Sequence, residues 1–396
     1  MKINKSLSMW ICATTPWVAS VAWADDPGAK VERPAYAPDA SARTVEFWKQ
    51  RIELDPAGAI AHRELAAALL RLHRETGAIE HAVAAEKAAR AAIAKSHRGA
   101  ASAWSRLASA LLAQHRFTEA LEAADQAVRL DPDAERLRAD VLLELGRIDD
   151  AEKAIARLAP DAGDDPNRLA LEARLHETRG RSDRAIEARK RAAELADALY
   201  DLPHETAAWY RTMVGHALID SGRIDEGERD CLLALEIFPR DHRAVTGLAE
   251  VAVARGRWSE AREQASRALE LSPENPEAMR ILYEACGKLG DSEGAKAAAE
   301  RFERLAKSFP RIHDRHWVLF CADRGVDLPA ALELARKDLE LRPDAQAHDT
   351  LAWVAFKAGS IDEAARAIAR ALELAPHDDA IRDHAAEIEA AARRPR

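Results

Sequence analysis

The feature of this chain that most constrains its fold is a regular spacing of small residues. Each of eight small residues opens a short amphipathic helical pattern, and consecutive members lie 31, 34, 42, 34, 34, 36 and 33 positions apart: Ala120, Ala151, Ala185, Gly227, Ala261, Ala295, Ala331 and Ala364. A period of about 34 residues is typical of helix–turn–helix units that stack into a solenoid. The sequence therefore predicts an all-α chain in which each unit packs on its neighbours.

Residues 101–134 show the unit most clearly. Trp104, Leu107 and Leu111 fall on one face of a first helix, and a second helix with Ala120 stops before Pro132. This pattern resembles the tetratricopeptide repeat, and in-phase copies span 222–239, 256–273 and 359–376. The resemblance implies an α-solenoid of about nine repeats that forms a right-handed superhelix.

Small residues and glycines account physically for the spacing. The eighth position of most units is small, so the two helices of a hairpin can approach closely: Ala108, Ala139, Ala173, Gly215, Ala249 and Ala352. Glycine follows the first helix of six units, where a left-handed C-cap disfavours a Cβ atom: Gly146, Gly180, Gly222, Gly256, Gly290 and Gly359. A single hairpin cannot bury its own apolar stripe, so neighbouring units must cover it.

The chain divides into five segments. Residues 1–24 carry a basic start, a mostly apolar stretch and Ala22-Trp23-Ala24, and they predict a cleaved secretory signal peptide; an uncleaved anchor is the alternative. A flexible, proline-containing linker is expected at 25–42, an N-terminal capping helix at 43–58 and the repeat array at 59–378. Residues 379–396 predict a C-terminal capping helix and tail. The expected location is secreted and periplasmic.

An insertion near 197–205 interrupts the period between the fourth and fifth units. Two interpretations stay open. The insertion is either an overlong second helix followed by a loop, or a contact loop or hinge between two halves of the array.

Charge and cysteine usage limit the partners. The formal net charge is −9, and loss of the signal peptide with its two lysines makes it −11. An acidic chain disfavours nucleic acid and anionic lipid as partners, and no membrane insertion is expected after signal cleavage. We expect the three cysteines after the signal, Cys231, Cys286 and Cys321, to be small buried residues.

No catalytic motif is present in the sequence. It lacks a Gly-rich phosphate loop, G-x-S-x-G, H-E-x-x-H and C-x-x-C. His313 and His316 lie one helical turn apart, but no third metal ligand is evident nearby. The sequence therefore predicts a non-enzymatic protein without a cofactor or metal, and a small-ligand or metal-binding module is the alternative.

The resemblance also implies where a partner binds. In this family the first helix of each unit lines a concave groove, with positions 2, 5, 9, 12 and 13 facing it. The candidate groove residues at such positions are Trp209, Thr212, His216, His313, His316, Phe320, Asp349, Trp353, Phe356 and Lys357. Packing of Trp353 and Phe356 between hairpins is the alternative for these two aromatic residues.

The middle units present charged residues at the equivalent positions: Arg136, Asp140, Arg174, Glu177, Arg243, Glu250, Arg280 and Glu284. Such a surface either selects a charged extended peptide or forms a lattice of internal salt bridges. The asparagines of the family's chaperone-tail clamp are absent, since Asn275 lies in a loop between repeats and Asn167 lies at the second position of its unit. The sequence thus predicts a scaffold or adaptor that binds a peptide or helix of a partner protein.

Overall fold

The structure is a computed structural model that describes residues 33–96, 100–158, 165–308 and 310–393, with the side chains of 310–314 left out. The described part contains twenty α-helices and no strand. None of these helices is long and apolar enough to cross a membrane. The chain is an α-solenoid in which each helix packs on the helix that precedes it and the helix that follows it.

Nine helix pairs form the array. The first helices of the pairs are α2 (Ala59–Thr76), α4 (Ala101–Ala113), α6 (Glu135–Glu144), α8 (Pro166–Thr178), α10 (His204–Asp220), α12 (His242–Ala254), α14 (Pro276–Lys288), α16 (Pro310–Arg324) and α18 (Ala345–Lys357). The second helices are α3 (Ile79–Lys95), α5 (Phe117–Leu130), α7 (Ile148–Arg157), α9 (Ser182–Asp197), α11 (Ile224–Ile237), α13 (Trp258–Leu271), α15 (Ser292–Ser308), α17 (Leu328–Leu341) and α19 (Ile361–Leu374). The outer helices are α1 (Ala40–Leu54) and α20 (Asp379–Ala392).

The local sequence determines where these helices meet and end. The predicted C-cap glycines Gly146, Gly180, Gly222, Gly256, Gly290 and Gly359 all have left-handed backbone angles, with φ between 66° and 80°. Most of the small residues of the hairpins are fully buried, including Ala108, Ala120, Ala249 and Ala261. This close packing of alanines gives a core of narrow hairpins whose side chains interdigitate between units.

The N-terminal segment differs from the expected flexible linker. Helix α1 begins at Ala40, and part of the segment before it lies against the array. The Arg33 guanidinium donates to the carbonyl oxygens of Ala196 (2.7 Å) and Leu199 (3.1 Å). The Tyr36 ring packs edge-on against His204 and Phe238, at 5.6 and 5.3 Å. Described residues 33–36 therefore contact the insertion and its neighbours, while the predicted signal peptide lies outside the described residues.

Successive turns of the superhelix stack on each other, and one turn contains about six units. The backbone N–H of Ile79 donates to Glu274 (3.1 Å), and Arg74 pairs with Glu205 (3.1 Å). Farther along, the Arg342 guanidinium lies 5.0 Å from the centre of the Phe117 ring. The partners in these contacts belong to units that are far apart in the sequence, so the first superhelical turn rests directly on the second.

Glycines allow the closest approach of the two superhelical turns. A Cβ atom at Gly146 would lie 3.2 Å from the backbone nitrogen of Asp344, and one at Gly180 would lie 3.2 Å from that of Asp378. The turn of the third unit thus meets the loop before the ninth unit, and the turn of the fourth unit meets the loop before α20. The described turns of the later units are open, because a Cβ atom at Gly256 or Gly359 would meet nothing within 4 Å.

Candidate functional site

The structure places the candidate groove residues on three first helices but buries most of them. Helix α10 carries the first three, α16 the next three and α18 the last four. Six side chains are buried: Trp209, Thr212, His216, Phe320, Asp349 and Trp353. Neighbouring helices cover these six side chains, and partner binding at the candidate positions stays a prediction. The His313 side chain lies outside the described residues.

The residues of α10 are bonded to the next first helix, α12. The Thr212 hydroxyl donates to Asp241 (2.8 Å), and the His216 ring bridges Glu250 (2.9 Å, through Nδ1) and the Arg243 carbonyl (3.0 Å, through Nε2). A carbonyl oxygen can only accept a hydrogen bond, so Nε2 of His216 carries a hydrogen. A hydrogen bond between Nδ1 and Glu250 then needs a second proton, either on Nδ1 or on the carboxyl group. Burial lowers the pKa of His216 to about 4 and raises the pKa of Glu250 well above its usual value. Both shifts favour the neutral imidazole and the protonated carboxyl group.

The charged residues of the middle units form an internal lattice. Arg174 pairs with Asp140 and Glu144, and Arg280 pairs with Glu277 and Glu284. Arg136, Glu177 and Arg243 are also paired, with Asp165, Arg189 and Asp241 respectively. Of the two alternatives for this set, the structure shows the salt-bridge lattice. Some of these ion pairs connect two helices, as Arg174–Asp140 does, and others lie within one helix, as Arg280–Glu277 does, so each of these charges is already paired within the chain.

Trp353 of α18 contacts side chains of α16 and α20 near the C-terminus. Its indole N–H donates to Asp323 (2.8 Å) on α16, and the His384 ring of α20 stacks on the indole with centroids 4.1 Å apart. His384 in turn contacts both carboxylate oxygens of Asp349, at 2.8 and 3.0 Å. Burial opposes protonation of His384, but the hydrogen bonds and charge of Asp349 outweigh it and raise the pKa of His384. Packing between hairpins, the alternative interpretation of Trp353, is what the structure shows.

Two cations near this cluster rest on aromatic rings. The Arg324 guanidinium lies 4.9 Å from the ring centres of both Tyr283 and Phe320. The Lys357 ammonium lies 4.0 Å from the Trp353 ring and 5.4 Å from the Phe356 ring. Both cations are exposed, and Phe356 is half-buried. Neither forms a salt bridge with any side chain in the described ranges. We call Tyr283, Phe320, Arg324, Phe356 and Lys357 the aromatic ledge.

Sequence reasoning missed Tyr283 and Arg324. Tyr283 is the eighth residue of α14, a position that is alanine or glycine in most other units. That departure is the signal that identifies it, because a large ring there must find space outside the narrow hairpin contact. Arg324 follows Asp323 and occupies position 13 of its unit. The family pattern places this position in the groove.

The described part of the chain holds no metal-binding cluster and no cysteine with a lowered pKa. No group of three or more His, Cys, Asp or Glu side chains there is arranged to hold a metal ion. Burial raises the pKa of the three described cysteines, that of Cys321 to about 12, which disfavours reactive thiolates. A cleft of about 690 Å³ opens between α13 and α15 and is lined in part by Arg262, Cys286, Asp291 and Arg301.

Comparisons with known proteins identify the repeat. A family profile described as tetratricopeptide repeat matches residues 111–175, and a second one of the same description matches 84–135 and 212–276. A solved structure similar to the chain is that of a thermophilic tetratricopeptide repeat protein from Thermus thermophilus. It is 24% identical, with a TM-score of 0.38, over 46% of this chain and 99% of that one. The comparison with curated proteins found no match.

Proposed function

Because the chain is a tetratricopeptide repeat protein, we propose that it is a non-enzymatic scaffold that binds an extended segment of a partner protein on the aromatic ledge. Repeats of this family generally mediate protein–protein interactions. The observation that supports this site is the pair of cations on the ledge, Arg324 and Lys357, which rest on aromatic rings without a carboxylate partner among the described residues. The charged residues of the middle units, by contrast, are already paired.

The chemistry of the ledge favours an acidic segment that also carries apolar side chains. A carboxylate of the partner would complete the hydrogen bonds of Arg324 and Lys357, and the half-buried Phe356 ring offers an apolar contact. Aromatic and arginine side chains are enriched among the residues that dominate binding energy. Asp323, which is exposed beside Arg324, would repel a carboxylate placed in the wrong register and so contribute to specificity.

Site-specific photocrosslinking in the native host tests this proposal. A photoreactive phenylalanine analogue replaces Phe356 in one variant and Leu232, an exposed residue of α11, in the control. We expect the Phe356 variant to give one discrete crosslinked partner, and the double change Arg324→Ala and Lys357→Ala to abolish that band. Equal crosslinking from both positions, or a band that survives the double change, would place the partner elsewhere.

Purified components give the second test. For the partner identified by crosslinking, the double variant should bind at least about tenfold more weakly, and more so at low salt, because the lost contacts are ionic. The matched control is Lys296→Ala and Lys337→Ala, which removes two exposed lysines of the second helices α15 and α17. Equal affinities for the two double variants would contradict the proposed ledge site.

We also propose that the mature protein acts in the periplasm. Support comes from the sequence of residues 1–24 alone, with its basic start, apolar stretch and Ala22-Trp23-Ala24. N-terminal sequencing of the protein from a periplasmic fraction tests the proposal. The first residue should be Asp25, and an intact Met1 in a cytoplasmic fraction would contradict it.

A further inference from the structure

The two outer helices of the chain are halves of a repeat. Helix α1 has the ending of a second helix, Leu54-Asp55-Pro56, like Leu130-Asp131-Pro132 at the end of α5, and it packs on α2. Helix α20 contacts both α19 and α18, as each first helix contacts the second and first helices before it. In the described part of the chain, α1 has no first helix and α20 has no second helix as a hairpin partner.

The two edges of the superhelix carry turns and loops that are offset by the same number of units as those that stack within the chain, but these have no such partner among the described residues. Within the chain, the turn of the third unit meets the loop before the ninth, and the turn of the fourth meets the loop before α20. The turns of the later units are open, since a Cβ atom at Gly222, Gly256, Gly290, Gly325 or Gly359 would meet nothing within 4 Å. At the opposite edge, four large apolar side chains next to the loops of the early units are exposed: Leu54, Ile60, Leu130 and Tyr200.

From this register we propose that a second copy of the chain docks head to tail, with α1 of one copy completing the hairpin begun by α20 of the other. Counting onward, α20 is the first helix of a tenth unit and the docked α1 is its second helix. The open turns of units five to eight then face the loops before units one to four of the second copy. The contact joins two different surfaces, so it leaves both ends free and extends into a filament.

The facing surfaces of the two helices are complementary in shape. Ala386 is the eighth residue of α20, the position that is small in most units, and it is exposed. Thr44 precedes Pro56 by the same spacing as Ala364 precedes Pro376, so it takes the place of the small residue of a second helix. Phe47, with 51% of its surface exposed, lies one turn farther along α1. Burial of this ring against the alanines of α20 is the apolar contact of the interface.

The facing surfaces are also complementary in charge. The exposed side of α1 carries Arg43 and Arg51, and the exposed side of α20 carries Asp383 and Glu387. None of these four side chains forms a salt bridge with another side chain that the structure describes. The two helices of a hairpin are antiparallel, so with Ala386 opposite Thr44, Glu387 lies opposite Arg43.

Mixed crosslinking of two single-cysteine variants tests the arrangement. Thr44→Cys and Ala386→Cys, which keep the Phe47 ring, are each prepared with Cys12→Ser, while Cys231, Cys286 and Cys321 are buried. Under mild oxidation we expect a disulfide-linked dimer only when the two variants are mixed, and a ladder of oligomers when both cysteines are in one chain. A dimer from either variant alone would show a symmetric contact, and absence of crosslinking in the mixture would exclude head-to-tail docking. Either result overturns the proposal.

Sedimentation velocity over a concentration series gives an independent measurement. Phe47→Asp should weaken self-association by about tenfold or more, as expected for a central aromatic residue of an interface. Val83→Asp, at a side chain of similar exposure on α3, should leave it unchanged. A chain that sediments as a monomer at every concentration, or equal effects of the two variants, would refute the inference. These experiments contain no partner protein and leave the ledge intact, so their failure would not bear on the proposed function.

Discussion

Substituting alanine for Gly146 or Gly180 should destabilise the protein more than the same change at Gly256 or Gly359. All four residues have left-handed φ angles between 66° and 80°, so each variant forces a Cβ into a disfavoured conformation. That common cost is about 1–2 kcal/mol. The two pairs differ only in what the new methyl group meets.

The extra cost follows from the contacts between the superhelical turns. A Cβ at Gly146 would lie 3.0 Å from the Cβ and 3.2 Å from the backbone nitrogen of Asp344, whereas at Gly256 it would meet nothing within 4 Å. Backbone atoms cannot rotate away, so the two turns must separate slightly. Overpacking of this kind costs about 1–3 kcal/mol, and the modest overlap here places the extra destabilisation at about 1 kcal/mol.

Urea unfolding followed by circular dichroism measures the destabilisation, and hydrogen exchange locates it. We expect Gly146→Ala to speed amide exchange around Asp344 and Gly180→Ala to do so around Asp378, in each case in a distant unit of the array. Gly256→Ala and Gly359→Ala should affect exchange only near the substituted turn. The reasoning is refuted if all four variants lose equal stability and exchange at Asp344 and Asp378 stays as in the wild type.

Three further predictions follow from buried polar groups. Burial lowers the pKa of His242, at the contact between superhelical turns, to about 3, so its own contribution to stability should fall by about 1.4 kcal/mol per pH unit as pH drops below 6.5. His242→Gln should reduce the pH slope of urea-derived stability by that amount, whereas His377→Gln should leave the slope unchanged. The pair of His384 with Asp349, which raises the pKa of His384, stabilises α20 fully below pH 6.5, and this contribution is lost as pH rises through the folded-state pKa. The hydrogen-exchange protection factors of α20, which are corrected for the intrinsic pH dependence of amide exchange, should therefore be lower at pH 9 than at pH 6, and Asp349→Asn should remove that difference. The buried Tyr210 hydroxyl donates to Asn167 (3.0 Å), so Tyr210→Phe should cost about 1 kcal/mol in urea unfolding, whereas Tyr200→Phe at an exposed ring should cost nothing measurable.

The sequence was sufficient to predict the hairpins, because they depend on local patterns. Small residues such as Ala108 and Ala249 determine how closely two adjacent helices pack, and glycines such as Gly256 determine where a first helix ends. These signals recur once in each unit and need no knowledge of distant contacts. The expectation of helical units along the array and of an α-solenoid is confirmed.

The periodic pattern of the sequence could not predict the contacts between superhelical turns. Gly146 and Asp344 are far apart in sequence, and no local pattern distinguishes Gly146 from Gly256, although only the former meets another turn. The curvature that joins them accumulates from small rotations between units. The burial of His216 was missed for a related reason, since it depends on the Glu250 side chain of the next first helix.

A disulfide between the two superhelical turns tests the closed superhelix most directly. A Cβ at Gly180 would lie 3.3 Å from that of His377, close to the span of about 3.5–4.5 Å in natural disulfides. In dilute solution, the variant Gly180→Cys with His377→Cys should oxidise within one chain, seen as the loss of two free thiols without a dimer. Gly222→Cys with His377→Cys should keep both thiols free. Equal thiol loss in the two variants, or no oxidation in the first, would contradict the stacked turns.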